Sequence, residues 1–159
     1  MSENTRNKPI RAFMNKILQA IASEIPLPPS QRVWLQKKRG VKIGKNVFIG
    51  SGVLIDEAYP EKVVIENNAT VIARTIILAH AIYPSHFAKI INNKIAETKI
   101  GEGAYLGAGV IVMPGVKVGK YSIVGAGSIV THDIPEYSKA VGVPARVIGA
   151  IDKELIESN

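Results

Sequence analysis

The sequence predicts an all-β solenoid, a parallel β-helix in which a short strand and a corner repeat every six residues. Three observations predict it. Aliphatic residues recur at Ile43, Ile49, Ile55, then Ile65, Val71, Ile77, then Ile100, Leu106, Val112, Val118, Val124 and Val130. Two positions before each stands a small or β-branched residue, from Val41, Val47 and Val53 through Thr98 and Ala104 to Ser122 and Ser128. Gly often follows the aliphatic, as at Gly44, Gly50, Gly101 and Gly107, and pairs such as Lys45-Asn46 and Glu66-Asn67 fall where corners would lie.

Period six is not helical, because residue i+6 of an α-helix is rotated by about 600° and leaves its own face. Six is even, so a strand keeps i and i+6 on one side. β-Branched residues suit strands, while Gly and Asn tolerate positive φ at corners. Three hexads per turn make a triangular prism, and twelve hexads make about four coils with the aliphatic column inside. Two interruptions break the phase, one of four residues within 56–62 and one of seventeen within 78–97. Spacing gives the prism but not its hand.

The ends of such a stack need covering. "PIRAFMNKILQAI" places Ile10, Phe13, Met14, Ile17, Leu18 and Ile21 on one stripe of a helix that opens near Pro9 and closes before Pro26. "SQRVWLQKKRG" predicts a second short helix with Ser30 as N-cap and Gly40 as stop. "DKELIES" predicts a short C-terminal helix. The expected organisation is a helical cap over 1–40, a β-helix domain over 41–150 with a loop at 78–97, and a tail over 151–159.

Composition bounds the function. The chain has 159 residues, 47% hydrophobic and 21% charged, the size and balance of one globular domain. It has no Cys, which excludes disulfides, thiolate metal sites and a Cys nucleophile. No apolar run reaches the roughly 18 residues of a membrane span, and the first residues lack a signal-peptide pattern, so a soluble cytoplasmic protein is expected. Residues 1–45 hold ten Lys or Arg against two Glu, a net of +8. The remainder holds ten basic and eleven acidic residues, a net of −1, so no nucleic-acid partner is expected. The basic, amphipathic first helix suits either docking on the prism or peripheral contact with an anionic membrane face.

With the hexads, "VGAGSIVTHDIP" (Val124–Pro135) and "VGVPARVIG" (Val141–Gly149) resemble the left-handed β-helix acetyltransferases of the galactoside and maltose O-acetyltransferase type, including polysaccharide-modifying members. The resemblance covers about residues 40–150. It implies a left-handed coil and transfer of an acetyl group from acetyl-CoA to a hydroxyl or amine of a sugar or glycan. It also implies a homotrimer with sites between prisms, and no metal. The family's loop histidine, the general base, falls within one residue of His80. Ala108 would present its main-chain N–H to the thioester carbonyl. Ala126, Thr131, His132 and Arg146 occupy coenzyme-binding positions. Asp56 and Glu57 stand where the family has an acidic acceptor-binding residue, and a His-orienting role is the other reading of that pair. Tyr83 lines the acceptor site or packs its own loop, and His86 is loop surface or an acceptor contact. His132 replaces a lysine common in the family, and the acceptor loop differs from those of simple-sugar enzymes.

The chemistry asks for these groups. A thioester is already activated, and an alcohol at pH 7 needs a base, which contributes about 10²–10⁴-fold. His suits that role, and a main-chain N–H suits the oxyanion. Two alternatives share the fold. A zinc hydratase resembling γ-type carbonic anhydrases needs three His ligands, one pair spaced H-x4-H, whereas His80 and His86 are spaced H-x5-H. A noncatalytic scaffold would leave the coenzyme-type phrases without a purpose.

Overall fold

The computed structural model describes residues 9–157. The first eight residues of the expected cap and the last two of the expected tail lie outside the described residues. The chain visits three parallel sheets in rotation. The first contains β1 (Lys42–Ile43), β4 (Val63–Ile65), β9 (Thr98–Ile100) and β12 (Lys117–Val118). The second contains β2 (Phe48–Ile49), β5 (Thr70–Val71), β10 (Tyr105–Leu106) and β13 (Ile123–Val124), extended by β15 (Ser138–Gly142) and β16 (Ala145–Ala150). The third contains β3 (Leu54–Ile55), β6 (Ile76–Ile77), β11 (Ile111–Val112) and β14 (Ile129–Val130).

The register joins hexad to hexad. Ile43 lies beside Ile65, Ile65 beside Ile100 and Ile100 beside Val118. Ile55, Ile77, Val112 and Val130 stack in the same way. All of the twelve aliphatics are buried except Ile43, which is half-buried in the first strand. The small column two positions earlier is inside too, apart from half-buried Val47, with Thr75, Thr98, Ser122 and Ser128 fully covered. Asn46 and Asn68 turn corners at φ 53° and 59°, the left-handed region an Asn side chain tolerates. After the hexads the chain departs from the repeat, because β16 folds back antiparallel on β15. The short C-terminal helix is α3 (Lys153–Glu157).

Two helices cover the first coil, α1 (Pro9–Glu24) and α2 (Pro29–Arg39). Two expectations about them need correcting. The N-cap of α2 is Pro28 and not Ser30, and no side chain caps it; Gly40 does end the helix, at φ 106°. Most of the apolar stripe of α1 turns away from the prism: Ile10, Phe13, Met14 and Ile17 are exposed and Leu18 and Ile21 half-buried, while Asn15, Gln19 and Ala22 are buried.

The reason lies in what a coil end offers. The strands β1, β2 and β3 are the edges of their sheets, and their outward carbonyls need donors. Side chains supply them. Gln19 Nε2 donates to Val53 O at 3.0 Å, Arg32 to Ile49 O at 3.4 Å and Arg39 to Ile55 O at 3.0 Å. An apolar face would have buried these carbonyls without partners, at a cost of about 1–3 kcal/mol each.

Candidate active site

Where the chain turns from the third sheet back to the first, both interruptions of the repeat leave the prism. Asp56 ends the β3 hexad, and Ala79 and His80 follow the β6 hexad one coil later. Pairing of Leu54–Ile55 with Ile76–Ile77 therefore brings Asp56 beside His80 although they are 24 positions apart. The Asp56 carboxylate is wholly buried. One oxygen accepts the N–H groups of Ala58 at 3.0 Å and Tyr59 at 2.8 Å. The other accepts Ala79 N–H at 2.7 Å, His80 N–H at 3.0 Å and the His80 ring Nδ1 at 2.7 Å. Burial pushes this carboxyl up, but the Ala79 and Tyr59 N–H bonds, with the His80 ring, outweigh it and hold it below its ordinary range.

This pairing fixes the tautomer. An ionised carboxylate only accepts, so His80 Nδ1 donates and the neutral ring keeps its lone pair on Nε2. The ring is about a quarter exposed and tilts against Tyr59 at 5.4 Å between centroids. The imidazole is thus mostly covered and held in one orientation by Asp56. The Asp56 carboxylate is covered, and the side chain it meets is the His80 ring. Glu57, its neighbour, is exposed.

Asp56 also links stability to pH. Its folded value lies below the ordinary 3.8, so its contribution is complete above that value and is lost as pH falls through the lower folded value. Urea unfolding should show wild-type stability dropping steeply below about pH 4, and Asp56→Asn, weaker at neutral pH, with a shallower acid slope. Equal slopes would show that other carboxylates carry the acid loss.

The 78–97 loop is closed at its base by a small antiparallel pair, β7 (His80–Ala81) with β8 (Lys94–Ile95). His80 is thereby held at its strand, while His86 lies farther out, exposed, its ring against Phe87 at 4.2 Å. Tyr83 is half-buried, its N–H held by Asn93 Oδ1 at 2.8 Å, and lines a cleft of about 340 Å3 with Ser85, Ile91 and Asn93.

The other candidate residues do not all gather here. Thr131 and His132 follow β14 on the same edge of the prism as His80, two coils on, with Thr131 Oγ1 and His132 Nδ1 2.9 Å apart. His132 shares a cleft of about 360 Å3 with Asp133, Ala145 and Arg146. Arg146 is exposed, with one guanidinium nitrogen donating to Ala145 O at 2.9 Å. Ala108 and Ala126 stand on a different edge, between the second and third sheets. They are stacked tightly: a Cβ on Gly107 would meet the Ala126 nitrogen at 2.6 Å. One chain thus carries the candidate groups on two edges.

Periodicity and motif spacing give no sign of Arg39, which the fold makes central. It is fully buried and donates to the carbonyls of Asn15, Ile55 and Asp56 and to the side-chain oxygens of Gln19 and Gln36. Burial lowers its guanidinium to about 10 against the pull of the Glu57 and Asp56 carboxylates, so it remains a cation at neutral pH. One signal does stand in the sequence: Asn15, Gln19 and Ala22 form an uncharged face opposite the apolar stripe.

Two family models match the chain, the bacterial transferase hexapeptide (six repeats) over residues 97–132 and the hexapeptide repeat of succinyl-transferase over residues 40–73. The chain is similar to "Putative acetyltransferase YvoF" of Bacillus subtilis (strain 168), 32% identical over 140 residues, or 87% of this chain and 77% of that protein. It is also similar to the galactoside O-acetyltransferase of Escherichia coli (strain K12), 34% identical over 122 residues, 76% of this chain and 59% of that one. Among solved structures, a galactoside acetyltransferase in complex with coenzyme A matches with a TM-score of 0.72 at 24% identity, covering 97% of this chain and 87% of its own. At that identity the likeness concerns the fold.

Proposed function

Because this chain belongs to the hexapeptide-repeat acetyltransferases, we propose that it moves an acetyl group from acetyl-CoA to a hydroxyl or amine of a sugar or glycan acceptor. The Asp56–His80 pair carries the reading, because it leaves Nε2 as a fixed, partly exposed base. His80 Nε2 takes the acceptor proton as the acceptor oxygen or nitrogen attacks the thioester carbonyl. The Ala108 N–H meets the oxyanion. Collapse breaks the carbon–sulfur bond, and the departing thiolate takes the proton from His80, so protons balance and no covalent enzyme intermediate forms.

In this reading residues 41–150 are the transferase domain, a left-handed β-helix of about four coils, with 1–40 as cap and 151–159 as tail. The two-edge distribution supports a homotrimer, since cyclic assembly sets the His80 edge of one copy against the Ala108 and Ala126 edge of the next. Arg146, with Thr131 and His132, meets the coenzyme's phosphates, for which an arginine fork is suited. Glu57 and Tyr83 face the acceptor from the two interruptions of the repeat.

The test is release of free thiol from acetyl-CoA with a panel of sugar and amine acceptors. Acceptor-dependent release is expected, and Arg146→Ala should raise the KM for acetyl-CoA several-fold with less effect on kcat. Absence of acceptor-dependent release across the panel would overturn the proposal.

A further inference from the structure

The capping helices present large apolar side chains outward. Ile10, Phe13, Met14 and Ile17 are 78, 64, 45 and 37% exposed. On a helical wheel Ile10, Phe13 and Ile17 fall within about 60°, opposite Asn15, Gln19 and Ala22, with Arg11 on one flank and Lys16 on the other. On α2 the outer face carries Trp34, 56% exposed, with Lys37 and Lys38 at the next turn. The Lys38 ammonium stands 5.6 Å over the Trp34 ring. The helices donate to different carbonyls of the same first coil, Gln19 of α1 to Val53 O and Arg32 and Arg39 of α2 to Ile49 O and Ile55 O, so both lie over that coil end with their other faces turned away from it. Residues 4–55 hold ten Lys or Arg and one carboxylate, Glu24.

We propose that this outer face of the cap is a docking surface for an anionic lipid bilayer. It goes beyond acetyl transfer and does not depend on it. Apolar side chains enter the headgroup boundary while the lysines around them meet lipid phosphates, and a tryptophan at the edge suits the interface. Charge decides against a second copy as the occupant, because a self-complementary contact would bring two cationic rims together. The trimer proposed above would present three such faces on one side, so that weak single contacts add. No helix among the described residues is long and apolar enough to cross the membrane, so contact is peripheral.

Flotation of the full chain with vesicles tests this. One set is phosphatidylcholine alone, and the other contains about one quarter phosphatidylglycerol. Binding to the anionic set should be at least about tenfold stronger and should weaken as salt rises. Combined Phe13→Ser and Ile17→Ser should abolish it with thermal stability unchanged, and combined Lys16→Glu and Lys38→Glu should weaken it about tenfold. Three results would each overturn the proposal: no flotation with anionic vesicles, equal binding to both sets, or full binding by the serine variant. A lower oligomeric mass of the serine variant without lipid would also overturn it, by assigning the face to contact between copies.

Discussion

His80→Ala should lower kcat at least about a hundredfold while acetyl-CoA still binds. The size follows from the chemistry, since an alcohol is a poor nucleophile at neutral pH and a base held at the reacting proton contributes about 10²–10⁴-fold. The direction of the split follows from geometry. His80 shares an edge with His132 but lies two coils away and does not line the cleft of His132 and Arg146, so its loss should leave the proposed coenzyme contacts in place. His86→Ala should change the acceptor KM modestly or do nothing, because its ring lies exposed against Phe87. Steady-state kinetics with calorimetric titration of coenzyme A check both variants. A dispensable His80 with an essential His86 would move the active site into the outer loop.

Arg39→Met should cost about 3–5 kcal/mol of stability. The cation serves five acceptors, and methionine of similar length serves none of them. The carbonyls of Ile55 and Asp56 would then be left at the coil edge without partners. For a chain of this length the loss corresponds to a fall in melting temperature of about 6–20 °C. Arg39→Lys should fall between, because an ammonium reaches fewer of the acceptors. Part of the damage should appear as lower kcat, since Arg39 holds the main chain of Asp56, whose carboxylate holds His80. Scanning calorimetry reads the stability, and a change below about 1 kcal/mol would show that water replaces the guanidinium.

Much of this was legible in the linear sequence. The hexads state which residues face inward because a strand has a fixed period of two and the coil a fixed period of six. Parallel in-register stacking then follows, since only that arrangement keeps Ile55, Ile77, Val112 and Val130 in one column. His80 could be singled out because the repeat breaks just after Ile77.

Other features depend on which atoms the folded coil leaves bare. Asp56 and Glu57 are adjacent carboxylates in one interruption, and no local pattern separates them. Stacking of one coil on the next gives Asp56 the N–H groups of Ala79 and His80 and leaves Glu57 in solvent. The β15–β16 hairpin follows no hexad rule, so periodicity is silent about it. The first helix shows the difference most clearly. Its sequence alone determined an apolar stripe and an uncharged face, but which one turns inward was decided by the surface beneath it. A coil end presents unpaired carbonyls, and a carbonyl buried under Phe13 or Ile17 would lose its water without gaining a donor. The face carrying Gln19 therefore docks, and Ile10, Phe13, Met14 and Ile17 are left outside.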